Sequence, residues 1–269
     1  MSEHTTTEAP KSGGPRDLGL VAHMVRYEQL FFWVNRIGAV FTVGFSVVFL
    51  VLLGASAGNS RISYLGNIKL VDYYVPGFVA YGVMAAAFTT LAVSLVVRRE
   101  TGLLKRLRLS PVPAWVLIAA IFVSTAIVAV IQVVLLLVIG RFGYGVHLPT
   151  SIGAFVVVLL VGIASFAAMG VAMSTVIPNQ EAAGPVISIV FFVLLFLSGL
   201  WFPLKANSGL AKFSNLFPVR HFILAVSAPF GFQHGVSPWA WHDLLVVVVW
   251  GAVATVIAVR RFRWSPRRS

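Results

Sequence analysis

Residues 98–113, which read RRETGLLKRLRLSPVP, decide how the rest of the chain is interpreted. The stretch carries five basic residues and one acidic residue, and it separates two long apolar runs. A Lys or Arg at the middle of a bilayer costs about 2.5–3.5 kcal/mol on an insertion scale, so we expect the chain to leave the membrane here. Lys and Arg favour the cytoplasmic side, which places this stretch on that face.

The same stretch predicts a short amphipathic helix. Leu103, Leu104 and Leu107 recur at helical spacing, and the basic side chains between them are turned away. Pro111 and Pro113 end this helix, because proline lacks a donor N–H and clashes with the preceding turn. A helix of this kind suits a surface that another protein grips, and a solvated cytoplasmic loop is the alternative.

The composition predicts an integral membrane protein. Of the 269 residues, 59% are hydrophobic and 10% are charged, whereas a soluble domain carries about 25% charged residues. The net charge of +12 comes from clusters at the ends of apolar runs, which indicates membrane topology rather than a nucleic-acid groove. The chain has no cysteine, which excludes disulfides, thiolate metal sites and cysteine nucleophiles.

Six apolar runs have the length of membrane-spanning helices, since about 20 residues are needed to cross about 30 Å of hydrocarbon. They cover residues 37–57, 74–97, 114–139, 152–177, 183–202 and 239–259. Of the 20 Lys and Arg residues, 14 lie on the side of the termini and of residues 98–113, and six lie on the other side. This bias predicts that both termini are cytoplasmic.

The segments outside these runs are assigned from their composition. Residues 1–16 are polar and are expected to form a disordered cytoplasmic tail, and residues 260–269 form a basic cytoplasmic tail. Residues 17–36 predict an amphipathic helix in the membrane interface, with a cytoplasmic extension of the first span as the alternative. Residues 203–238 are interrupted by prolines, so they predict an external segment with one or two short helices dipping partway back.

The predicted spans, covering residues 37–259 overall, contain little chemistry of their own. No Asp, Glu, Lys or Arg lies near the middle of any run, although ion-coupled transporters need such residues. The deepest polar residues are expected to bond between helices, and they are Thr89, Thr90, Ser94, Gln132, Ser165 and Ser188. The chain lacks a G-x-x-x-x-G-K-[ST] phosphate loop, a carboxylate pair and clustered histidines, so we predict no catalytic residue, metal site or cofactor on it. A membrane-embedded lipid-modifying enzyme, the alternative from another class, therefore has no predicted site.

Two stretches resemble segments of one protein family. Residues 98–111, RRETGLLKRLRLSP, resemble the cytoplasmic segment of ABC-2-type permeases, the membrane subunits of ATP-binding-cassette (ABC) exporters. Residues 198–204, SGLWFPL, and residues 217–220, FPVR, resemble the end of the fifth span and the re-entrant segment of that family. The chain is thus similar to permeases of the drug-exporter kind, from about residue 17 onward.

The resemblance implies an all-α integral membrane fold with six transmembrane helices, an N-terminal interfacial helix, a cytoplasmic coupling helix and an external re-entrant segment. It also implies a second permease copy, identical or homologous, and two copies of a cytoplasmic ABC ATPase subunit that binds ATP and Mg. The residues implied to couple to that ATPase are Arg98, Arg99, Glu100, Gly102, Leu103, Leu104, Arg106, Leu107, Arg108 and Pro111. Those of the re-entrant segment are Gly199, Phe202, Pro203, Pro218 and Arg220.

We expect an amphipathic substrate, such as a drug or a lipid, because the predicted bundle contains many aromatic side chains and no fixed charge. The predicted substrate path is formed by Phe88, Thr89, Phe191, Phe192 and Phe196. This interpretation predicts multidrug efflux from the cytoplasm or the inner leaflet, with antibiotic resistance as its consequence. A permease for a polysaccharide or a lipid-linked glycan has the same size and topology and is the alternative within the family.

Overall fold

The computed structural model describes residues 15–57, 59–63, 67–103, 114–204, 208–232 and 237–261, which are mostly helical. The α-helices are Pro15–Val34, Arg36–Ala39, Phe45–Ala57, Leu70–Met84, Leu91–Glu100, Ala114–Val138, Ile152–Val176, Gln180–Ser198, Gly209–Ser214, Pro218–Ser227 and Trp241–Arg261. The π-helical turns are Val40–Gly44, Ala85–Thr90 and Ile139–Gly143, and Ala228–Phe230 is a 3-10 turn. Two antiparallel strands of two residues each, Arg61–Ile62 and Ile68–Lys69, are a small addition to the predicted all-α fold.

Six helices of the described residues are long and apolar enough to cross a membrane, which confirms the predicted number. We call them spans 1 to 6, and they are Arg36–Ser56, Leu70–Glu100, Trp115–Gly143, Ile152–Val176, Gln180–Ser198 and Trp241–Arg261. The protein is therefore an all-α, multi-pass membrane protein. The location of its termini relative to the membrane stays a prediction.

Span 2 is longer than the apolar run that predicted it. It begins at Leu70 rather than at residue 74, and it ends at Glu100 rather than at residue 97. The helix extends through Arg98 because other helices cover that side chain and bind its charge. The basic stretch therefore begins as the last turn of a span. That the chain leaves the membrane within residues 98–113 stays a prediction.

Span 5 differs from its predicted bounds of 183–202 at both ends. It begins at Gln180, where the side chain of Asn179 accepts a hydrogen bond from the N–H of Ala182 at 2.9 Å and caps the helix. It ends at Ser198 because Gly199 has a φ of 85°, a left-handed conformation that commonly ends helices. The apolar residues that follow Gly199 extended the predicted run but not the helix.

Span 2 lies at the centre of the bundle. It packs against spans 1, 3, 4 and 5 and against the helix Pro218–Ser227. In an apolar stretch of 18 residues within span 2, 78% of the residues are buried, compared with 22% in the corresponding stretch of span 1. Spans 4 and 6 also pack closely, since a Cβ atom at Gly251 would lie 2.6 Å from the Oγ of Ser165.

The helix Pro15–Val34, which we call the N-terminal helix, packs along span 3. Asn35 separates it from span 1 and accepts a hydrogen bond from the N–H of Gly38 at 3.2 Å. Gln29 donates from Nε2 to both the carbonyl oxygen and the hydroxyl of Ser124 in span 3, each at 2.8 Å. Gln29 thus faces the protein, whereas His23 and Arg26 are exposed. The interfacial location of this helix stays a prediction.

Candidate functional site

The last turn of span 2 holds a largely buried ion pair. Arg98 donates two hydrogen bonds to Glu28 of the N-terminal helix, from Nη1 to Oε1 at 2.7 Å and from Nη2 to Oε2 at 2.5 Å. The Arg98 side chain is 9% exposed and the Glu28 side chain is 16% exposed. The guanidinium also lies 5.7 Å from the centre of the Phe31 ring. A two-point contact of this kind fixes the orientation of the two helices.

Arg99, the next residue, binds the other side of the bundle. Its Nη1 donates to the carbonyl oxygen of Ser174 at 3.0 Å, and its Nη2 donates to those of Ile177 at 2.8 Å and Pro178 at 3.3 Å. These carbonyls lie at the end of span 4, where the last carbonyls of a helix lack partners of their own. A positive charge at this end also complements the helix dipole. Arg99 therefore joins span 2 to the end of span 4.

Span 2 ends directly after these arginines. Gly102, with a φ of 70°, donates from its N–H to the carbonyl oxygen of Arg99 at 3.1 Å and terminates the helix. Glu100 accepts a hydrogen bond from Nε of Arg99 at 3.0 Å, and Leu103 is 42% exposed. Among the predicted coupling residues, Arg98 and Arg99 thus bind helices of their own chain. Glu100, Gly102 and Leu103 end the described part of this stretch. The remaining five predicted coupling residues lie outside the described residues, and they are Leu104, Arg106, Leu107, Arg108 and Pro111.

A cavity of about 390 Å³ lies between the N-terminal helix and spans 1, 2 and 3. Its walls are largely apolar, and the Glu28–Arg98 pair is part of them. Six hydroxyl-bearing side chains also line it, and they are Thr42, Thr89, Thr90, Ser94, Ser124 and Thr125. Binding sites for small organic molecules have volumes of about 300–1,000 Å³ and the same mixture of apolar walls with a few polar groups.

Thr89 is the predicted substrate-path residue that lines this cavity. Its Oγ1 is buried and has no hydrogen-bond partner among the described residues. The neighbouring Thr90, by contrast, lies with its Oγ1 3.3 Å from the Oγ1 of Thr42 in span 1. Both sides of this contact belong to π-helical turns, Ala85–Thr90 in span 2 and Val40–Gly44 in span 1. Single π-helical turns inside helices frequently occur at functional sites.

The four predicted phenylalanines of the path lie outside the lining of this cavity. Phe88 and Phe191 are core residues, each 6% exposed, with ring centres 6.3 Å apart. Phe192 and Phe196 are exposed on the surface of the chain, by 42% and 61%. The structure thus divides the predicted path into one cavity residue, two core residues and two surface residues.

A buried amide in span 3 connects three spans. Gln132 donates from Nε2 to the carbonyl oxygen of Thr42 at 3.0 Å and to the hydroxyl of Ser46 at 2.7 Å, both in span 1. On the side of span 2, a Cβ atom at Gly82 would lie 2.5 Å from the Gln132 amide. The expectation that Gln132 bonds between helices is therefore confirmed, and only glycine leaves room for it at position 82.

Two short helices, Gly209–Ser214 and Pro218–Ser227, lie between spans 5 and 6. The second packs against spans 2, 4, 5 and 6. Pro218 occupies its first turn, where the N–H that proline lacks would have no helical partner. Arg220 is half-buried, its Nε has no hydrogen-bond partner among the described residues, and burial lowers the pKa of its guanidinium.

The remaining predicted re-entrant residues lie where span 5 ends. The hydroxyl of Tyr73, in the first turns of span 2, donates to the carbonyl oxygen of Gly199 at 2.6 Å. Phe202 is 72% exposed, and Pro203 follows it and is half-buried. The start of span 2 and the end of span 5 are therefore held together, and the depth of this segment in the membrane stays a prediction.

Sequence analysis missed a histidine–carboxylate pair at this end of the bundle. His221, in the second short helix, has its Nδ1 2.6 Å from Oδ1 of Asp243 in span 6, and its Nε2 2.9 Å from the carbonyl oxygen of Asn215. The hydrogen bond to Asp243 raises the pKa of His221 despite its burial. His242 lies nearby, with its Nδ1 3.8 Å from the same carboxylate. His221, His242 and Asp243, three residue types that can bind a metal, thus lie together, although the histidines are scattered in the sequence. Both ring nitrogens of His221 face oxygen acceptors, which favours the protonated ring.

Comparison with known proteins identifies the family. Residues 58–260, about three quarters of the chain, match the model of the ABC-2 family transporter protein. The chain is 24% identical over 160 residues to "Probable multidrug ABC transporter permease YbhR" of Escherichia coli K12, and this match covers 59% of the chain and 44% of YbhR. It is 24% identical over 181 residues to YvfS of Bacillus subtilis 168, named as a transport permease, covering 66% of the chain and 71% of YvfS.

A eukaryotic relative matches a similar share of the chain. ABC transporter G family member 20 of Dictyostelium discoideum is 27% identical over 157 residues, which cover 58% of the chain and 21% of that protein. The chain thus spans less than half the length of the Escherichia coli and Dictyostelium relatives. The family match agrees with the resemblance of the basic stretch and the six spans. The chain belongs to the ABC-2 family of transporter proteins.

Proposed function

We propose that this chain is the permease subunit of an ATP-driven exporter that moves an amphipathic substrate from the cytoplasm or the inner leaflet. Its family supports a role in transport, and the multidrug permease among its relatives supports a drug-like substrate. A second permease copy and two copies of a separate ABC ATPase subunit, which would bind ATP and Mg, complete the proposed complex. Residues 98–111 are its proposed coupling segment.

The last turn of span 2 is the observation that carries this proposal. Arg98 and Arg99 bind span 2 to the N-terminal helix and to the end of span 4, immediately before the exposed Leu103. A displacement of the segment after Leu103 would therefore act on three elements together rather than on one helix end. Because no Asp, Glu, Lys or Arg lies near the middle of any span, the sequence offers no coupling ion site, and an external source of energy fits better.

The coupling role is tested by introducing a charge into the proposed contact with the ATPase. We expect Leu103→Asp and Leu107→Asp to lower ATP-dependent substrate transport at least about tenfold, because a carboxylate replaces an apolar anchor at the interface. Both variants should insert normally and leave ATP hydrolysis in place. Transport and hydrolysis are measured in proteoliposomes that contain the permease and its ATPase subunit.

A matched control is Leu210→Asp, which changes another exposed leucine, 48% exposed, in the first short helix. This variant should transport normally. Normal transport by both Leu103→Asp and Leu107→Asp would contradict the coupling role. The substrate is tested in the same proteoliposomes: transport of a small hydrophilic ion alone would overturn the amphipathic class, and transport of a lipid-linked glycan would favour the glycan permease.

A further inference from the structure

We propose that the cavity between the N-terminal helix and spans 1, 2 and 3 binds uncharged amphiphiles, which have a slender apolar part and a neutral hydrogen-bonding group. A monoacylglycerol has this chemistry. The inference rests on the proposed function only in taking the bound molecule to be a transport substrate. Binding itself follows from the shape, charge and hydroxyl groups of the cavity.

The cavity extends a long way along span 2. Its lining on that span runs from Ala86 to Arg98, which corresponds to about 18 Å at 1.5 Å per residue. Phe31 and Phe32 of the N-terminal helix and Phe41 of span 1 form apolar parts of its wall. A volume of about 390 Å³ distributed over this length leaves a narrow space. Such a space fits a single chain better than a broad polycyclic molecule.

The charges of the cavity neutralise each other. Glu28 and Arg98 are the charged side chains among the described residues that line it. Each of the two carboxylate oxygens of Glu28 accepts a hydrogen bond from Arg98, so the pair has no net charge for a ligand to balance. A charged ligand would therefore be buried without a counter-charge, which is far less favourable than the burial of a neutral hydroxyl. The cavity thus favours neutral ligands over anions and cations.

The hydroxyl groups explain why a purely apolar ligand is not expected. The buried Oγ1 of Thr89 lacks a partner among the described residues, and buried polar atoms normally have one. Ser94 on the same span and Thr125 on span 3 also line the cavity. The Oγ1 of Thr89 is covered in this conformation. A turn of the side chain about χ1 would bring it to the cavity, where a hydroxyl or ester group of a ligand would supply the missing hydrogen bond. An amphiphile with one neutral polar group therefore satisfies both the walls and the orphaned hydroxyl.

Binding is measured with the purified full-length chain in phosphatidylcholine nanodiscs and with radiolabelled monooleoylglycerol as the probe. Oleate and oleylamine, which combine the same chain with a negative or a positive group, are the competitors. We expect unlabelled monooleoylglycerol to displace the probe at least about tenfold more effectively than either charged competitor. Equal displacement by all three would show that the chain alone decides binding and would overturn the proposal.

Three variants test the location of the site. Ser94→Phe fills the cavity and should weaken binding at least tenfold, and Thr89→Val removes the orphaned hydroxyl at constant shape and should weaken it several-fold. Thr255→Val in span 6 is the control, because its hydroxyl bonds to the carbonyl oxygen of Gly251 in its own helix at 2.8 Å and does not line the cavity. If the Ser94→Phe variant elutes as a single species and binds the probe as tightly as the wild type, the proposal is overturned.

A covalent probe provides a second readout that does not depend on the variants. Monoacylglycerol carrying a diazirine on its chain should label peptides from the N-terminal helix and spans 1 to 3 in the wild-type chain. Labelling confined to spans 4 to 6 would overturn the site. If the chain binds the neutral amphiphile selectively but does not transport it with ATP, the site stands and the export role is contradicted. If the chain transports it but the N-terminal helix and spans 1 to 3 are not labelled, only the site is contradicted.

Discussion

The two ends of the helix bundle are held together by different chemistry. Where span 2 ends, two arginines bind Glu28 and three backbone carbonyls. At the opposite end, where span 6 begins, His221 bonds to Asp243. An arginine stays charged throughout the biological pH range, whereas the charge of a histidine changes near neutral pH. The arginines next to the proposed ATPase contact therefore keep their charge, whereas the other end contains a histidine bond whose strength depends on pH.

The largest effect is expected from breaking the ion pair at the end of span 2. Glu28→Gln should lower the free energy of unfolding by about 3 kcal/mol, because it leaves the Arg98 guanidinium buried without its counter-charge. The double variant Glu28→Leu with Arg98→Met should recover much of this loss, since no unpaired charge remains. Unfolding is followed by circular dichroism in detergent during titration with denaturant.

The control for this double-mutant cycle is Glu181→Gln, which changes an exposed glutamate in the first turn of span 5. Its free energy of unfolding should stay within about 0.5 kcal/mol of the wild type. The cycle is completed by the single variants Glu28→Leu and Arg98→Met. If their losses were simply additive in the double variant, the two side chains would not be coupled and the pair would not hold the N-terminal helix.

The second largest effect is expected at Arg99. Arg99→Gln should lower the free energy of unfolding by about 2 kcal/mol, because the amide cannot reach the carbonyls of Ser174 and Ile177 with two charged donors. Arg99→Lys should restore only part of the loss, since an ammonium lacks the planar fork of donors. Arg141→Gln, which changes an exposed arginine at the end of span 3, should have little effect. Full restoration by lysine would show that charge, and not geometry, matters at this position.

The smallest effect is expected from pH at the opposite end. The pKa of His221 is raised by its bond to Asp243, so protonation is favoured in the folded chain relative to an unfolded histidine with a pKa of about 6.5. The stabilisation is therefore fully present below about pH 6.5 and is lost as the pH rises through the raised pKa. Wild type should lose stability relative to His221→Gln between neutral and alkaline pH, measured by thermal unfolding in a pH series.

His23→Gln provides the control for this pH series, since His23 is exposed on the N-terminal helix. It should reproduce the pH dependence of the wild type. An identical pH dependence in wild type and His221→Gln would remove the difference between the two ends of the bundle that the structure indicates.

The six spans were predictable because each is a continuous apolar run that carries its own signal. The end of span 5 was missed, although Gly199 is a typical helix terminator, because the apolar residues Leu200, Trp201 and Phe202 concealed it. Glu28, a charged residue on the N-terminal helix, contacts Arg98, 70 residues further along the chain. Local patterns cannot show which distant charge balances a polar residue on an apolar face.

The candidate site was less predictable than the fold. Thr89 is one of the five predicted path residues, and its place in the cavity depends on how four separate elements pack. His221 and Asp243 are 22 residues apart and belong to different helices, so the separation in sequence gave no indication of their bond. Residue type and spacing identify helices well, but cavities and long-range polar pairs arise only when the helices come together.

Gly82 shows how far a small change in the middle of the bundle would be transmitted. Alanine at this position would push against the Gln132 amide, and that amide is what connects span 3 to the backbone of Thr42 and the hydroxyl of Ser46. One added methyl group would thus disturb span 1 although the altered residue belongs to span 2. The alignment of three membrane helices depends here on the absence of a Cβ atom at position 82.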